Sequence, residues 1–124
     1  MFEDRKKTTV ERTDKPWGHE LLWGKTAQYV GKLLFIKAGE SLSLQYHKEK
    51  EETIFLESGE MQFECGPSEA DLQTITLLPG EGFHIPPGYV HRMIAVKDCR
   101  VFEVSTPQLQ DVVRLKDRYG RTPS

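Results

Sequence analysis

Gly39-Glu-Ser-Leu-Ser-Leu-Gln45-Tyr-His47-Lys-Glu-Lys-Glu-Glu52-Thr-Ile-Phe-Leu-Glu-Ser-Gly59 decides how this chain folds. Side chains along a strand point alternately to its two faces. Over Leu42–His47, Ser43, Gln45 and His47 therefore share one face, and Leu42, Leu44 and Tyr46 share the other. A strand that is apolar on one side and carries Gln and His on the other has both sides covered, one by packing and one by a lined cavity. Beyond the charged turn, Glu52, Ile54 and Leu56 share a face. A carboxylate in phase with a core stripe must be paired, protonated or bound to a cation, because an isolated buried charge is very costly. The stretch predicts two short strands that turn Gln45, His47 and Glu52 into an interior.

Outward from it in both directions, short apolar stretches are broken by Gly, Pro, Ser or charges. They are Glu20–Trp23, Tyr29–Ile36, Leu42–His47, Thr53–Glu57, Met61–Cys65, Thr74–Leu77, Gly82–Ile85, His91–Val96 and Val101–Val104. Short strands at this spacing predict an all-β sandwich or barrel. Only Pro107–Tyr119 has room for a helical turn or two. Residues 1–14 are charged and without period, and read as a flexible arm or an edge strand. Lys15-Pro16-Trp17-Gly18 is the first structured punctuation, since the residue before a proline favours extended backbone. Thr122-Pro123-Ser124 should fray. The domain proper is residues 15–121, a barrel with a C-terminal tail.

The 124 residues suffice for one domain with a packed core. Charged residues make up 29% and hydrophobic ones 37%, as in a soluble globular domain. A net charge of −2 and the lack of a long basic run argue against a nucleic-acid partner. No apolar run approaches the ~20 residues of a membrane span, and the polar N-terminus has no apolar signal core, so the expectation is a cytoplasmic protein with no membrane partner. In a reducing compartment Cys65 and Cys99 are expected to be buried thiols, not a disulfide.

A second glycine-bounded segment, Gly80-Glu-Gly-Phe-His-Ile-Pro86-Pro-Gly88-Tyr-Val-His91, places a histidine just after a rigid turn. Together the two segments resemble the paired motifs of the cupin superfamily. The first family motif runs from a glycine through two histidines one residue apart and a glutamate to a second glycine. Gly39, His47, Glu52 and Gly59 match it, with Gln45 at the first histidine position. In the second motif Gly80, Pro86, Gly88 and His91 match, and Ala95 replaces the usual asparagine. The resemblance implies a single-domain double-stranded β-helix, or jelly-roll barrel, holding one divalent metal ion on Gln45, His47, Glu52 and His91. Two imidazoles, a carboxylate and an amide oxygen suit Zn²⁺ first, with Mn²⁺, Fe²⁺ or Ni²⁺ also compatible. The structural alternatives are a hydrogen-bonded core role for either histidine alone, and for Gln45 a hydrogen bond to a bound water.

Gln45-Tyr46-His47 is similar to the metal site of zinc-dependent mannose-6-phosphate isomerases. Lys15-Pro-Trp-Gly18, Ile85-Pro-Pro-Gly88, His91-Arg92 and the tail Asp111-Val-Val-Arg114…Asp117-Arg-Tyr-Gly-Arg121 resemble the C-terminal cupin domain of bifunctional mannose-6-phosphate isomerase/GDP-mannose pyrophosphorylases. Lys48-Glu49-Lys50 departs from the His-rich residues that usually follow there. The resemblance implies an aldose–ketose isomerase acting on a sugar or sugar phosphate. Such a reaction needs a base, for which the candidates are Lys50 and His84, and an anion-binding group, for which Arg121 is the candidate. Lys50 also reads as a solvated turn lysine and His84 as a structural residue. Arg92 alternates away from His91, which counts against it. The rival readings are a metal-dependent dioxygenase, which Gln45 disfavours, and a non-catalytic sugar-binding cupin. The apolar stripe Leu42, Leu44, Tyr46 predicts a homodimer through that face, with the N-terminal arm adding a strand to the partner's sheet edge.

Overall fold

A computed structural model describes residues 6–121. The described residues contain eleven strands and no α-helix. They are β1 (Glu11–Lys15), β2 (Gly18–Lys25), β3 (Val30–Ile36), β4 (Leu44–Tyr46), β5 (Glu52–Ser58), β6 (Met61–Ser68), β7 (Asp71–Leu77), β8 (Gly82–Ile85), β9 (Val90–Ala95), β10 (Cys99–Ser105) and β11 (Val113–Lys116). They form two antiparallel sheets. One has six strands in the order β1-β2-β3-β10-β5-β8, and the other five in the order β11-β4-β9-β6-β7. This is the all-β barrel that the strand spacing predicts, in the jelly-roll form that the cupin resemblance implies.

Alternation builds the core between the sheets. β5 buries Glu52, Ile54 and Leu56 and exposes Thr53, Phe55 and Glu57; β10 buries Val101, Glu103 and Ser105 and exposes Arg100, Phe102 and Val104. The apolar centre gathers Leu34, Ile36, Ile54, Phe63, Met93 and Val101. Each large side chain so buried contributes about 1.5–3 kcal/mol relative to exposure. A core of this extent does not depend on a bound ion to hold it. Cys65 and Cys99 are buried free thiols, as expected. Gly59 closes the β5–β6 hairpin at φ +100°, where a β-carbon would stand 2.3 Å from the Asp98 carbonyl oxygen; only glycine fits.

Two expectations change. The segment 107–119 does not turn into helix: its residues 113–116 form β11, hydrogen-bonded along β4. The stripe Leu42, Leu44, Tyr46 is not an open face. Leu44 is 1% exposed, and Leu42 packs against the core and lines the same cavity as Gln45 and His47. The reason is that β4 is only three residues long and Ser41 makes just an isolated bridge to Ile94, so strand alternation does not extend back to Leu42. With β11 paired along β4, the stripe no longer supplies a reason for a dimer. Of the two readings of the charged N-terminus, a flexible arm or an edge strand, the described part is an edge strand: β1 pairs with β2 at the edge of the six-stranded sheet. The remainder of the predicted arm, residues 1–5, and the fraying end 122–124 lie outside the described residues. No helix of the described residues is long and apolar enough to cross a membrane.

Candidate metal centre

Three buried side chains meet between the sheets. His47 leaves β4, Glu52 opens β5 after the charged turn, and His91 lies on β9, where it pairs across the ladder with Gln45. His47 Nε2 is 3.4 Å from Glu52 Oε2, and His91 Nε2 is 3.7 Å from Glu52 Oε1. All three residues are at most 4% exposed. The turn that delivers His91 is tied to the first ligand strand: the Gly88 N–H donates to the His47 carbonyl at 2.7 Å, with Gly88 at φ +82°.

Their hydrogen bonds fix which ring nitrogens face inward. His47 Nδ1 contacts the Asp111 carbonyl, and His91 Nδ1 lies 2.9 Å from the Tyr89 carbonyl. A carbonyl can only accept, so each Nδ1 carries a proton, and in the neutral ring Nε2 is the atom that keeps a lone pair. Both Nε2 atoms, together with Glu52 Oε2, are buried without a well-formed hydrogen bond. Lys50 Nζ stands 3.1 Å from that oxygen, close enough for ion pairing but off the hydrogen-bond direction. Two lone pairs and a carboxylate turned on one another repel unless a proton or a metal cation lies between them. Their ligand atoms fall within 4.8 Å of one another, so one ion could be held by all three. Outer hydrogen bonds to carbonyls are the usual way in which ligating imidazoles are oriented.

Charges continue outward from this cluster. Lys50 Nζ also lies 3.5 Å from Glu103 Oε2, both groups buried. Farther along, Glu20 pairs with Lys32 at 2.7 Å and with Lys15 at 3.2 Å. Burial works to raise the Glu52 carboxyl, but His47, Lys50 and His91 outweigh it and hold it at about 2. Burial pushes the Lys50 amine down, yet Glu103 and Glu52 outweigh it and keep the ammonium more firmly protonated than an ordinary lysine. Burial, reinforced by the nearby Glu52 charge, pushes the Glu103 carboxyl up. Burial lowers His91, in keeping with a neutral ring.

The cavity beside the cluster is lined by Gln45, His47, Lys50 and Glu103 at its floor, and by Arg114 and Arg121 nearer the tail. Gln45 Oε1 accepts from the Ser43 hydroxyl, so its amide oxygen faces the polar side of β4. The structure thus brings Gln45, His47, Glu52, His91 and Lys50 together. Arg121 reaches the same cavity, held by two hydrogen bonds to Asp117 and packed over Tyr119. His84 does not join them. Its register partner is the exposed Thr53, and its half-exposed ring pairs with Glu51 on the outside of the barrel, while Phe83 turns inward. Arg92 points out to Glu64 at 2.6 Å.

Sequence reasoning missed Glu103, whose partner Lys50 is remote in the chain, and Glu20, which pairs with the nearer Lys15 and Lys32. It also missed the part played by Asp111. The Asp111 carboxylate accepts from the backbone N–H groups of Lys48, Glu49 and Lys50, which fixes the turn between His47 and Glu52. Strict alternation along β10 would have placed Glu103 in the core beside Val101 and Ser105, as it placed Glu52 on β5.

A two-sheet antiparallel barrel with an inward His–Glu–His cluster that could hold a cation, beside a charged cavity, defines a class of small jelly-roll proteins. The chain belongs to the cupin family, whose Cupin domain matches residues 32–105. It is 31% identical over 113 residues to the alginate biosynthesis protein AlgA of Pseudomonas aeruginosa, a match covering 87% of this chain and 22% of that protein. AlgA of Pseudomonas putida is 29% identical over the same shares. The chain therefore spans about a fifth of the length of these relatives. Among solved structures, the capsular polysaccharide assembling protein CapF of Staphylococcus aureus superposes with a TM-score of 0.76 at 17% identity, covering 88% of this chain and 35% of that one. KdgF from a Halomonas species gives 0.71 at 18%, over 81% and 90% of the two chains. An RmlC-like cupin from Shewanella frigidimarina gives 0.71 at 16%, over 82% and 87%. At these identities the structural likenesses speak for the fold.

Proposed function

We propose that this cupin binds one divalent metal ion, Zn²⁺ before Mn²⁺, Fe²⁺ or Ni²⁺, and isomerises a sugar or sugar phosphate between its aldose and ketose forms. The observation that carries the reading is the pair of Nε2 atoms on His47 and His91 turned on the Glu52 carboxylate without a well-formed hydrogen bond, beside a cavity that His47 lines together with Lys50, Glu103 and Arg121. Glu52 holds the ion with the two rings, and Gln45 completes the set. When bound, the ion supplies Lewis acidity toward a carbonyl or hydroxyl oxygen of the sugar. The relatives named for alginate biosynthesis and capsular polysaccharide assembly support a sugar derivative as the small-molecule partner.

Aldose–ketose interconversion moves a proton between adjacent carbons, so one group must take it from carbon and return it. Lys50 is poorly suited to that role, because its ammonium is held protonated between Glu52 and Glu103. It serves better as a fixed positive charge beside the developing oxyanion. Glu103 lines the same cavity, and its raised carboxyl is the better proton carrier. Arg121 and Lys32 give the cavity wall the positive charge that a phosphate or sugar acid requires. A second reading, a non-catalytic sugar-binding cupin, is favoured by one fact: Lys50, Glu103, Glu20, Lys32 and Arg121 beside the cluster each have an ion partner within the chain.

The test is metal analysis of the purified protein followed by an NMR screen of hexose and pentose phosphates. Wild type should carry metal in stoichiometric amount, His91→Ala should lose it while remaining folded, and Glu103→Gln should keep the metal and lose turnover. Stoichiometric metal in His91→Ala would refute the site. Metal and sugar binding without turnover would leave the binding cupin. Iron with O₂ uptake and no isomerisation would establish the dioxygenase instead.

A further inference from the structure

Charges are sorted along the path that leads outward from the His–Glu–His cluster. At the inner end two carboxylates share one ammonium: Lys50 Nζ stands 3.1 Å from Glu52 Oε2 and 3.5 Å from Glu103 Oε2. At the outer end the ratio is reversed. One carboxylate, Glu20, is shared by two ammoniums, with Lys15 Nζ 3.2 Å from Oε1 and Lys32 Nζ 2.7 Å from Oε2. Lys15, Glu20 and Lys32 line the cavity that Gln45 and His47 line, and the same three residues form part of the wall of an adjoining cavity. The other charged groups of that adjoining wall, Glu11 and Arg114, are one of each sign. Arg121 is already answered by Asp117 at 2.7 Å. Local structure explains how the two lysines arrive there. Lys32 is in phase with Leu34 and Ile36 on β3, which sends its amine inward, and Glu20 pairs in register with Leu34. Lys15 is fixed by the turn Lys15-Pro16-Trp17-Gly18. Trp17 is buried, and Gly18 lies so close to β3 that a β-carbon would stand 1.9 Å from the Phe35 carbonyl oxygen. The segment that reads in the sequence as punctuation thus carries an ammonium into the cavity wall.

We propose that Lys15 and Lys32, bridged by Glu20, form an anion subsite that takes the phosphate or carboxylate of a ligand whose other end reaches the His–Glu–His cluster. The inference rests on the reading of this cavity as the ligand site. Two ammoniums on one carboxylate leave one positive charge unanswered. Each ammonium carries three N–H donors, and Glu20 supplies one oxygen to each, so donors remain on both for a third group. The Lys15, Lys32 and Glu20 side chains keep only 29%, 17% and 11% of their surface. A charge so shielded acts through an effective dielectric well below that of bulk water. Glu20 holds the two ammoniums together against their mutual repulsion, and it competes with an incoming anion for their donors. A neutral sugar leaves those donors unused, so the subsite selects a sugar phosphate or sugar acid over the neutral sugar. The reversed ratio at the inner end suits the opposite charge, so the two ends of the cavity sort a ligand by direction.

Lysine acetylation with and without inorganic phosphate, read residue by residue by mass spectrometry, tests the subsite without any turnover. Phosphate should protect Lys15 and Lys32 and leave the exposed Lys25 and Lys97 unchanged. Calorimetry of the Zn²⁺-loaded protein with glucose 6-phosphate, glucuronate and glucose then identifies the anion. One of the two anionic sugars should bind at least about tenfold more tightly than glucose, and the tighter one names the group. Lys15→Gln and Lys32→Gln should each weaken its binding roughly tenfold, the usual effect of losing one hydrogen bond to a charged group, with metal content unchanged. Glu20→Gln should bind phosphate more tightly than wild type, because the competing carboxylate is gone; a merely structural ion pair would give no such gain. Equal affinity for all three sugars, or protection of Lys15 and Lys32 no greater than that of Lys25, would overturn the proposal. So would a folded Glu20→Gln that binds phosphate no better than wild type. Protection of the two lysines in a protein that takes up no Zn²⁺ would uphold the subsite and overturn the metal reading instead.

Discussion

At the scale of single residues, the centre is governed by hydrogen bonds to atoms that can only accept. The carbonyls of Asp111 and Tyr89 hold the Nδ1 protons, which leaves the Nε2 atoms of His47 and His91 turned toward Glu52. Gln45 belongs beside them because β4 and β9 pair it with His91 in register. An amide oxygen adds no charge and gives less electron density than an imidazole. Gln45→His should therefore raise metal affinity and lower isomerase turnover, since a more electron-rich ion polarises a carbonyl less. Isothermal titration with Zn²⁺ and a coupled sugar-phosphate assay on the same preparation measure the two effects. If neither moves, Gln45 is not a ligand. The ligand positions were legible in the sequence because each follows from a short segment: two residues apart on a strand, across one turn, or just after Pro86-Pro87-Gly88. Glu103 was not, because its meaning comes from Lys50 on another strand.

At the scale of elements, the tail is the part that local reading misjudged. Residues 107–119 had room for a helix, yet β11 adds a strand alongside β4 and carries Asp111 to the turn between His47 and Glu52. The Asp111 carboxylate gathers the N–H groups of Glu49, Lys48 and Lys50, which hold its carboxyl down at about 2, and its own carbonyl orients His47. Asp111→Ala should leave both sheets intact but release the turn. Metal affinity should fall roughly 10–100-fold, the usual cost of removing an outer partner of a ligand. Competition with a chromogenic chelator reads that change, and an affinity equal to wild type would show the tail to be a passive covering. The outward placement of His84 belongs to the same scale. Alternation says that Phe83 and His84 point opposite ways, but only pairing with β5 decides which of them enters the barrel.

At the scale of the whole molecule, acid stability follows from the buried carboxylates. In the unfolded chain Glu52 takes up its proton near the ordinary value of 4.5, whereas the folded protein resists protonation down to about 2. Its contribution to stability is therefore full above about 4.5 and is lost as the pH falls toward about 2. Asp111 adds a loss of the same sign over the window from 3.8 to about 2. Glu103 runs the other way, since its raised carboxyl binds a proton more readily folded than unfolded. With a chelator present, circular dichroism should therefore show the barrel folded at pH 5 and unfolding cooperatively between about 4.5 and about 2. Unfolding that begins well above pH 5 would contradict this balance. The amino-acid sequence by itself determined the all-β class, the phase of most strands and which residues form the proposed ligand set, because period-two alternation and glycine-bounded turns act over a few residues. The tertiary structure alone decided the charged wall of the cavity, the strand formed by the tail and the closing of the Leu44 stripe. Each of these depends on which strands become neighbours, and that pairing is set by contacts between residues far apart in the chain.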